Sequence, residues 1–276
     1  MPTTRYALFG NPVAHSLSPR IHTLFAGQTD EPVVYSKKKV EEARFEQEVR
    51  DFFSAGGGGL NITQPHKQLA ANIADHRSQA VELAGAANTL FLKDGQLYAE
   101  NTDGAGLVSD LLLNLGWQIE GQRILLLGAG GAVRGVLEPL LACRPEKIAI
   151  ANRTVAKAQQ LVEQFEARAT LHKAVLEAST LEAAACGYDI VINASSAGLS
   201  GAIPAIDKAV VDGARCYDMV YGEGAAPFLQ WAAQSGARSV ADGLGMLVEQ
   251  AAVAFYIWRG VHPRAREVIA QLRGEA

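Results

Sequence analysis

Three short segments near the start of this 276-residue chain set polar, reactive side chains beside the expected starts of helices. In Asn11-Pro12-Val13-Ala14-His15-Ser16-Leu17-Ser18-Pro19, Ser18 reads as an N-cap with Pro19 at the first helical position. Ser16 has no part in that arrangement, and two hydroxyls at a helix N-terminus make a place for a carboxylate. In Asn61-Ile62-Thr63-Gln64-Pro65-His66-Lys67, a strand end gives way to a helix beginning near Pro65. Lys67 then falls in the first turn, where the macrodipole disfavours a cation. A stability argument would not choose lysine there, but the same placement with partial burial favours release of its proton, as an acid–base group needs. In Glu100-Asn101-Thr102-Asp103-Gly104, Asp103 reads as the N-cap of an amphipathic helix bearing Leu107, Val108, Leu111 and Leu115. Facing Lys67 across a cleft, it would instead complete an acid–base pair.

A fourth segment has a different chemistry. Leu127-Gly128-Ala129-Gly130-Gly131-Ala132 follows an apolar run and opens a helical stretch, the context of a dinucleotide loop in which glycines admit a pyrophosphate to a helix N-terminus. Val133 stands where the third glycine of the usual pattern would be. After the next apolar run comes Asn152-Arg153-Thr154, where an NAD site would place a carboxylate for the ribose hydroxyls. With no carboxylate to repel a 2′-phosphate, Arg153 able to pair with one and Thr154 able to cap the following helix, NADP is expected over NAD.

The elements that must position these residues form two α/β halves. Strands are expected at Tyr6 to Phe9, Val33 to Lys37 and Gly59 to Ile62, with helices near Pro19 to Ala26 and Ala43 to Phe53. A hairpin follows, Thr89 to Leu92 and Gln96 to Ala99 around Asp94 and Gly95. From Arg123, apolar runs at Ile124 to Leu127, Ile148 to Ala151, Asp189 to Asn193 and Cys216 to Val220 alternate with helical stretches, which implies a parallel sheet covered on both faces. One of those stretches puts Val155, Ala158, Leu161, Val162 and Phe165 on one face. Leu244 to Gly260 and Pro263 to Leu272 read as two closing helices, which periodicity alone assigns to neither half.

Composition narrows the classes. A net charge of −4 with scattered Lys and Arg offers no basic stripe for nucleic acid. Three distant cysteines, Cys143, Cys186 and Cys216, fit neither a disulfide framework nor a zinc site, and point to a reducing compartment. No apolar run is long enough for a secretory core or a membrane span, so a cytoplasmic location is expected. His15, His22 and His66 lack ligand spacing and read as structural or surface residues; no metal is expected.

Taken together and in order, these segments resemble the shikimate dehydrogenase family over nearly the whole chain. The resemblance adds Gly85-Ala86-Ala87-Asn88-Thr89, Tyr217-Asp218-Met219-Val220-Tyr221 and Asp242-Gly243-Leu244-Gly245-Met246-Leu247 with Gln250. It implies an NADP-dependent enzyme that reduces 3-dehydroshikimate to shikimate. Lys67 and Asp103 would be its catalytic pair, with Ser16, Ser18, Thr63, Asn88, Tyr221 and Gln250 on the substrate. Gly128, Ala129, Gly130, Gly131, Ala132, Asn152, Arg153, Thr154, Met219 and Gly243 would hold the cofactor. The family architecture further implies a substrate-binding domain of residues 1–103 and 244–276, with a Rossmann-type NADP-binding domain of residues 104–243 inserted between. Two alternatives stand beside this one: a quinate/shikimate dehydrogenase of broader specificity, and a nonenzymatic NADP-binding metabolite sensor, which would not need both Lys67 and Asp103. Monomer and homodimer are both compatible with the sequence.

Overall fold

The structure, a computed structural model, describes residues 3–195 and 202–274. It divides into two compact units, one made of the residues up to Gly106 together with those from Leu247, the other of Leu107–Met246.

The first unit is built on a six-stranded mixed sheet. Strands β1 (Thr4–Gly10), β2 (Val33–Lys39), β3 (Gly57–Ile62), β4 (His76–Arg77), β5 (Thr89–Lys93) and β6 (Gln96–Glu100) lie in the order β2-β1-β3-β5-β6-β4. β1 is parallel to β2 and β3, whereas β5 runs antiparallel to β3 and β6. The hairpin turns on Asp94 and Gly95, both with positive φ (53° and 78°), and Lys93 pairs Gln96 across it. This is the backbone that a two-residue hairpin loop demands and that glycine and aspartate tolerate.

Alternation along the strands fills both faces. Ala7, Phe9, Leu60 and Ile62 pack with helix α2 (Phe45–Ser54), whose Phe45, Val49 and Phe53 recur at helical spacing and are buried. Each such side chain contributes about 1.5–3 kcal/mol. Tyr6, Leu8 and Tyr35 point the other way, toward Trp258 of helix α9 (Leu244–Arg259). Trp258 stacks on Tyr6 at 4.7 Å, and a Cβ on Gly59 would stand 2.4 Å from its indole, so that strand position admits only glycine.

The segments that follow β1, β3 and β6 leave from one edge of this sheet, where β5 enters. They open helices α1 (Ser18–Thr29), α3 (Lys67–Ile73) and α5 (Asp103–Ser109), with α4 (Gln79–Ala84) between. Helix α1 starts one residue earlier than the sequence suggests: Leu17 holds the cap position, and Ser18 is already helical. The Ser16 hydroxyl accepts the Ser18 N–H at 3.3 Å, taking over the satisfying role expected of Ser18. Helix α5 also departs from expectation. It passes into a π-helical turn, Asp110–Asn114, which leaves Leu107 and Leu111 buried but turns Leu113 outward, 70% exposed.

The second unit holds a fully parallel sheet. Its strands are β7 (Arg123–Leu127), β8 (Lys147–Ala151), β9 (Val175–Ser179), β10 (Ile190–Asn193), β11 (Arg215–Asp218) and β12 (Ser239–Asp242), in the order β12-β11-β10-β7-β8-β9. Successive strands step outward from β7 to one side and then to the other, the doubly wound order of a Rossmann-type fold. β7, β8 and β10 are almost wholly apolar and buried, as a sheet covered on both faces requires. Helices α6 (Gly131–Ala142), α7 (Val155–His172) and α8 (Ala226–Gln234) supply the cover, and α10 (Ala265–Arg273) closes the chain in the first unit. On α7, Ala158, Leu161 and Phe165 are buried while Val155 and Val162 are half-buried at its margin.

Candidate active site

Lys67 opens α3 and Asp103 opens α5, so both side chains emerge at the sheet edge described above. Lys67 Nζ lies 2.5 Å from Asp103 Oδ2, with the two side chains 27% and 17% exposed. The pair is thus sheltered yet reachable. Asp103, expected as a cap, has both carboxylate oxygens engaged by side chains, because Asn88 Nδ2 donates to Oδ1 at 2.8 Å. The Asp103 N–H is taken by Asn101 Oδ1 at 3.1 Å.

Asn88, directly before β5, is 3% exposed and joins this pair to two further groups. Its amide donates to Gln250 Oε1 at 3.2 Å and accepts the Thr102 N–H at 2.9 Å. Gln250 sits on α9, where its own amide donates to the Leu247 carbonyl at 2.8 Å. Lys67, Asp103, Asn88 and Gln250 therefore form one connected polar group. Ser16 and Ser18 lie at the start of α1 at the same sheet edge, their hydroxyls 3.1 Å apart. Thr63 directly follows β3 and is half-buried, with its methyl group against Gly10, where a Cβ would be 2.2 Å away. His66 is structural, as expected: it is buried against Phe45, with Nε2 2.7 Å from the Val40 carbonyl oxygen, and it steadies the turn before Lys67.

In the second unit the polar loops gather at the carboxyl ends of the parallel strands, the edge where open α/β sheets take ligands. Gly128 follows β7 with φ 116°, a conformation costly to any side chain, and Gly130 caps α6. A Cβ on Gly130 or Gly131 would meet nothing among the described residues, so none of them packs against that side of the loop. An open, glycine-lined helix N-terminus of this kind fits a pyrophosphate. Val133, in the place of the third glycine, is fully buried in the core. Beyond β8, Asn152 Nδ2 donates to the Thr154 carbonyl at 2.9 Å, which folds the turn and leaves Arg153 exposed. Thr154 holds the N-cap position of α7 but makes no side-chain cap bond, so the expected capping is not seen.

Met219, half-buried after β11, donates its N–H to the Asn193 carbonyl at 2.9 Å. Gly243 follows β12, and a Cβ there would stand 2.3 Å from the Met219 carbonyl oxygen. The close approach of these two loops thus requires glycine. Tyr221 precedes a single 3-10 turn, Gly222–Gly224, and is half-buried.

Sequence reasoning missed the supports beneath this edge. Asp218 is fully buried, its carboxylate accepting from Asn193 Nδ2 at 2.8 Å and from the Val220 N–H at 2.9 Å. Burial, assisted by the Asp242 charge, outweighs those bonds and pushes its carboxyl up to about 6. Tyr217 donates to Asp110 Oδ2 at 2.7 Å, and a Cβ on Gly245 would lie 1.9 Å from Asp110 Oδ1. Two positions of the recognised motifs, Tyr217 and Gly245, are accounted for by that buried carboxylate alone. Their signal in the sequence was an acidic residue, Asp110, on the apolar side of a helix.

Among the described residues, no cluster of His, Cys, Asp and Glu could hold a metal ion, and no helix is long and apolar enough to cross a membrane.

Comparison with known proteins points one way. Residues 8–90 match the model of the shikimate dehydrogenase substrate-binding domain, residues 111–203 that of shikimate/quinate 5-dehydrogenase, and residues 243–273 that of the shikimate 5′-dehydrogenase C-terminal domain. The NADP(+) shikimate dehydrogenase of Alkalilimnicola ehrlichii is 50% identical over 274 residues, covering 99% of this chain and 100% of that protein. Among solved structures, the Ael1 enzyme from Pseudomonas putida superposes with a TM-score of 0.91 at 45% identity, covering 98% of each chain. Shikimate 5-dehydrogenase from Thermus thermophilus, solved with NADP(H) and shikimate, gives 0.83 at 27% identity, covering 99% of this chain and 100% of that one.

Proposed function

The chain belongs to the shikimate dehydrogenase family, and on that premise we propose that it catalyses the reversible NADPH-dependent reduction of 3-dehydroshikimate to shikimate, on the route to chorismate and the aromatic amino acids. It is an NADP-dependent oxidoreductase. The observation that carries the proposal is the sheltered Lys67–Asp103 pair at 2.5 Å, set at the same sheet edge as the two serine hydroxyls.

In this mechanism Ser16 and Ser18 take the substrate carboxylate at the positive end of α1, fixing the ring by the group farthest in character from the ketone. The chemistry that a bound nicotinamide supplies is delivery of hydride to the ketone carbon. As that carbon is reduced, negative charge develops on its oxygen, and the Lys67 ammonium gives that oxygen a proton. Asp103 holds the ammonium in place through Oδ2, while Asn88 fixes its other oxygen, so neither side chain must be ordered at the moment of reaction. Asn88, Thr63, Tyr221 and Gln250 bond the remaining hydroxyl and carboxylate oxygens of the substrate. In oxidation the same lysine takes the proton back.

The second unit is assigned to the cofactor. Gly128, Ala129, Gly130, Gly131 and Ala132 would carry the pyrophosphate, Arg153 with Asn152 and Thr154 the 2′-phosphate, and Met219 and Gly243 the nicotinamide end. The open loop and the lack of any carboxylate at positions 152–154 support NADP.

The test is the fall in nicotinamide absorbance when 3-dehydroshikimate is added to protein and NADPH. Stoichiometric consumption with shikimate as product is expected. Binding of NADPH without consumption would favour a metabolite sensor.

A further inference from the structure

We propose that Thr89 and Asn61 are positioning residues for the Lys67–Asp103 pair, forming with Tyr35 a buried hydrogen-bond chain that fixes the Asn88 amide and, through it, the Asp103 carboxylate. The inference rests on the function proposed above and gives roles to residues that touch neither substrate nor cofactor in it.

Asn61 on β3 and Thr89 on β5 are cross-strand partners, 5% and 0% exposed. Polar side chains inside a sheet are costly unless each is bonded, and here each is. Tyr35 on β2 donates its phenolic proton to Asn61 Oδ1 at 2.8 Å. Asn61 Nδ2 donates to Thr89 Oγ1 at 3.2 Å and to the Asn88 carbonyl at 3.3 Å. Thr89 passes its single proton to Asn88 Oδ1 at 2.9 Å, and Asn88 Nδ2 donates to Asp103 Oδ1 at 2.8 Å.

Every link runs in the same sense, from the phenol to the carboxylate. Such a chain polarises along its length, and each member fixes the orientation of the next. Tyr35 occupies Asn61 Oδ1 and so turns its NH2 toward Thr89. With its lone pair taken, the Thr89 hydroxyl points its proton at Asn88. Because Asn88 Oδ1 then faces Thr89 and the Thr102 N–H, its NH2 must face the Asp103 carboxylate. A flipped Asn88 would set an amide oxygen against a carboxylate and an NH2 against an N–H, both repulsive. Burial pushes the Tyr35 phenol well above its ordinary range, so it remains a proton donor to Asn61 at the head of the chain.

The experiment compares wild type with Thr89→Val, which keeps the shape and removes the hydroxyl, and with Thr89→Ser, which restores the hydroxyl. NADP-linked shikimate oxidation is followed across pH, together with thermal unfolding. Thr89→Val should lower kcat roughly tenfold with KM for NADP within about twofold and an altered pH profile of kcat, and Thr89→Ser should recover most of the loss. Wild-type kcat in Thr89→Val, or equal losses in both variants, would overturn the proposal. Should Thr89→Val not fold, Tyr35→Phe, which keeps the ring stacked on His22, should lower kcat in the same way with an altered pH profile, and wild-type kcat in it would overturn the proposal. A wild-type protein without activity in this assay would remove the proposed function itself, a result distinct from an active wild type indifferent to Thr89.

Discussion

Lys67 and Asp103 meet at 2.5 Å although each begins its own helix, one leaving β3 and the other leaving β6. The N-terminal dipole favours the aspartate and disfavours the lysine, so the lysine is held by its partner rather than by its helix. That is an arrangement for chemistry more than for stability. Replacing Lys67 by Ala should lower kcat by about two orders of magnitude or more, while the melting temperature stays near wild type. Steady-state rates at saturating substrate check this, and near-normal turnover would remove Lys67 from the proton-transfer step.

Arg153, exposed beyond β8 with no carboxylate beside it, should discriminate the two nicotinamide cofactors. Arg153→Ala should raise KM for NADP about tenfold or more and leave that for NAD nearly unchanged, since only the former carries the 2′-phosphate. Equal changes for both would show that Arg153 does not read that phosphate.

The buried Asp218 carboxyl, raised from 3.8 to about 6, gives stability a pH dependence of defined sign. Because the folded state holds the proton more tightly, this group's contribution is fully present below about pH 4 and is lost as the pH rises through 6. The unfolding free energy of wild type minus that of Asp218→Asn should therefore fall between those values. A difference that is flat or rises would contradict the burial argument. His22 acts oppositely: burial pushes its imidazole down to about 3, so its contribution is present above about 6.5 and declines as the pH falls toward 3. The difference between wild type and His22→Phe should shrink in that acid range.

Gly243→Ala places a methyl group 2.3 Å from the Met219 carbonyl oxygen. The two loops must separate, and the variant should lose about 1–3 kcal/mol of stability and bind NADP more weakly. Denaturant unfolding and cofactor titration measure the two effects. An unchanged protein would mean the loops can part without cost.

Much of this was legible in the sequence for physical reasons that apply at particular positions. The core strands β7, β8 and β10 are continuous apolar runs because both of their faces are covered, and the Asp94-Gly95 turn announced itself through the residues that tolerate positive φ. The edge strands β9 and β12 were not anticipated. Each pairs on one side only and is largely half-exposed, so neither carries a periodic apolar signal. Lys67 stood out because its helix gives it no reason to be there. Asn61 and Thr89 could not be recognised as supports, since nothing local links residues 28 positions apart until the β3–β5 register sets them opposite one another. The π-helical turn after α5 carries no local signal either: it begins at the buried Asp110, whose partner Tyr217 is 107 residues away.

The most direct measurement is the rise in nicotinamide absorbance as the purified protein oxidises shikimate or quinate, each with NADP and with NAD. The account predicts activity confined mainly to shikimate with NADP. Comparable rates with quinate or NAD would contradict the proposed specificity, and no activity in any combination would contradict the proposed reaction.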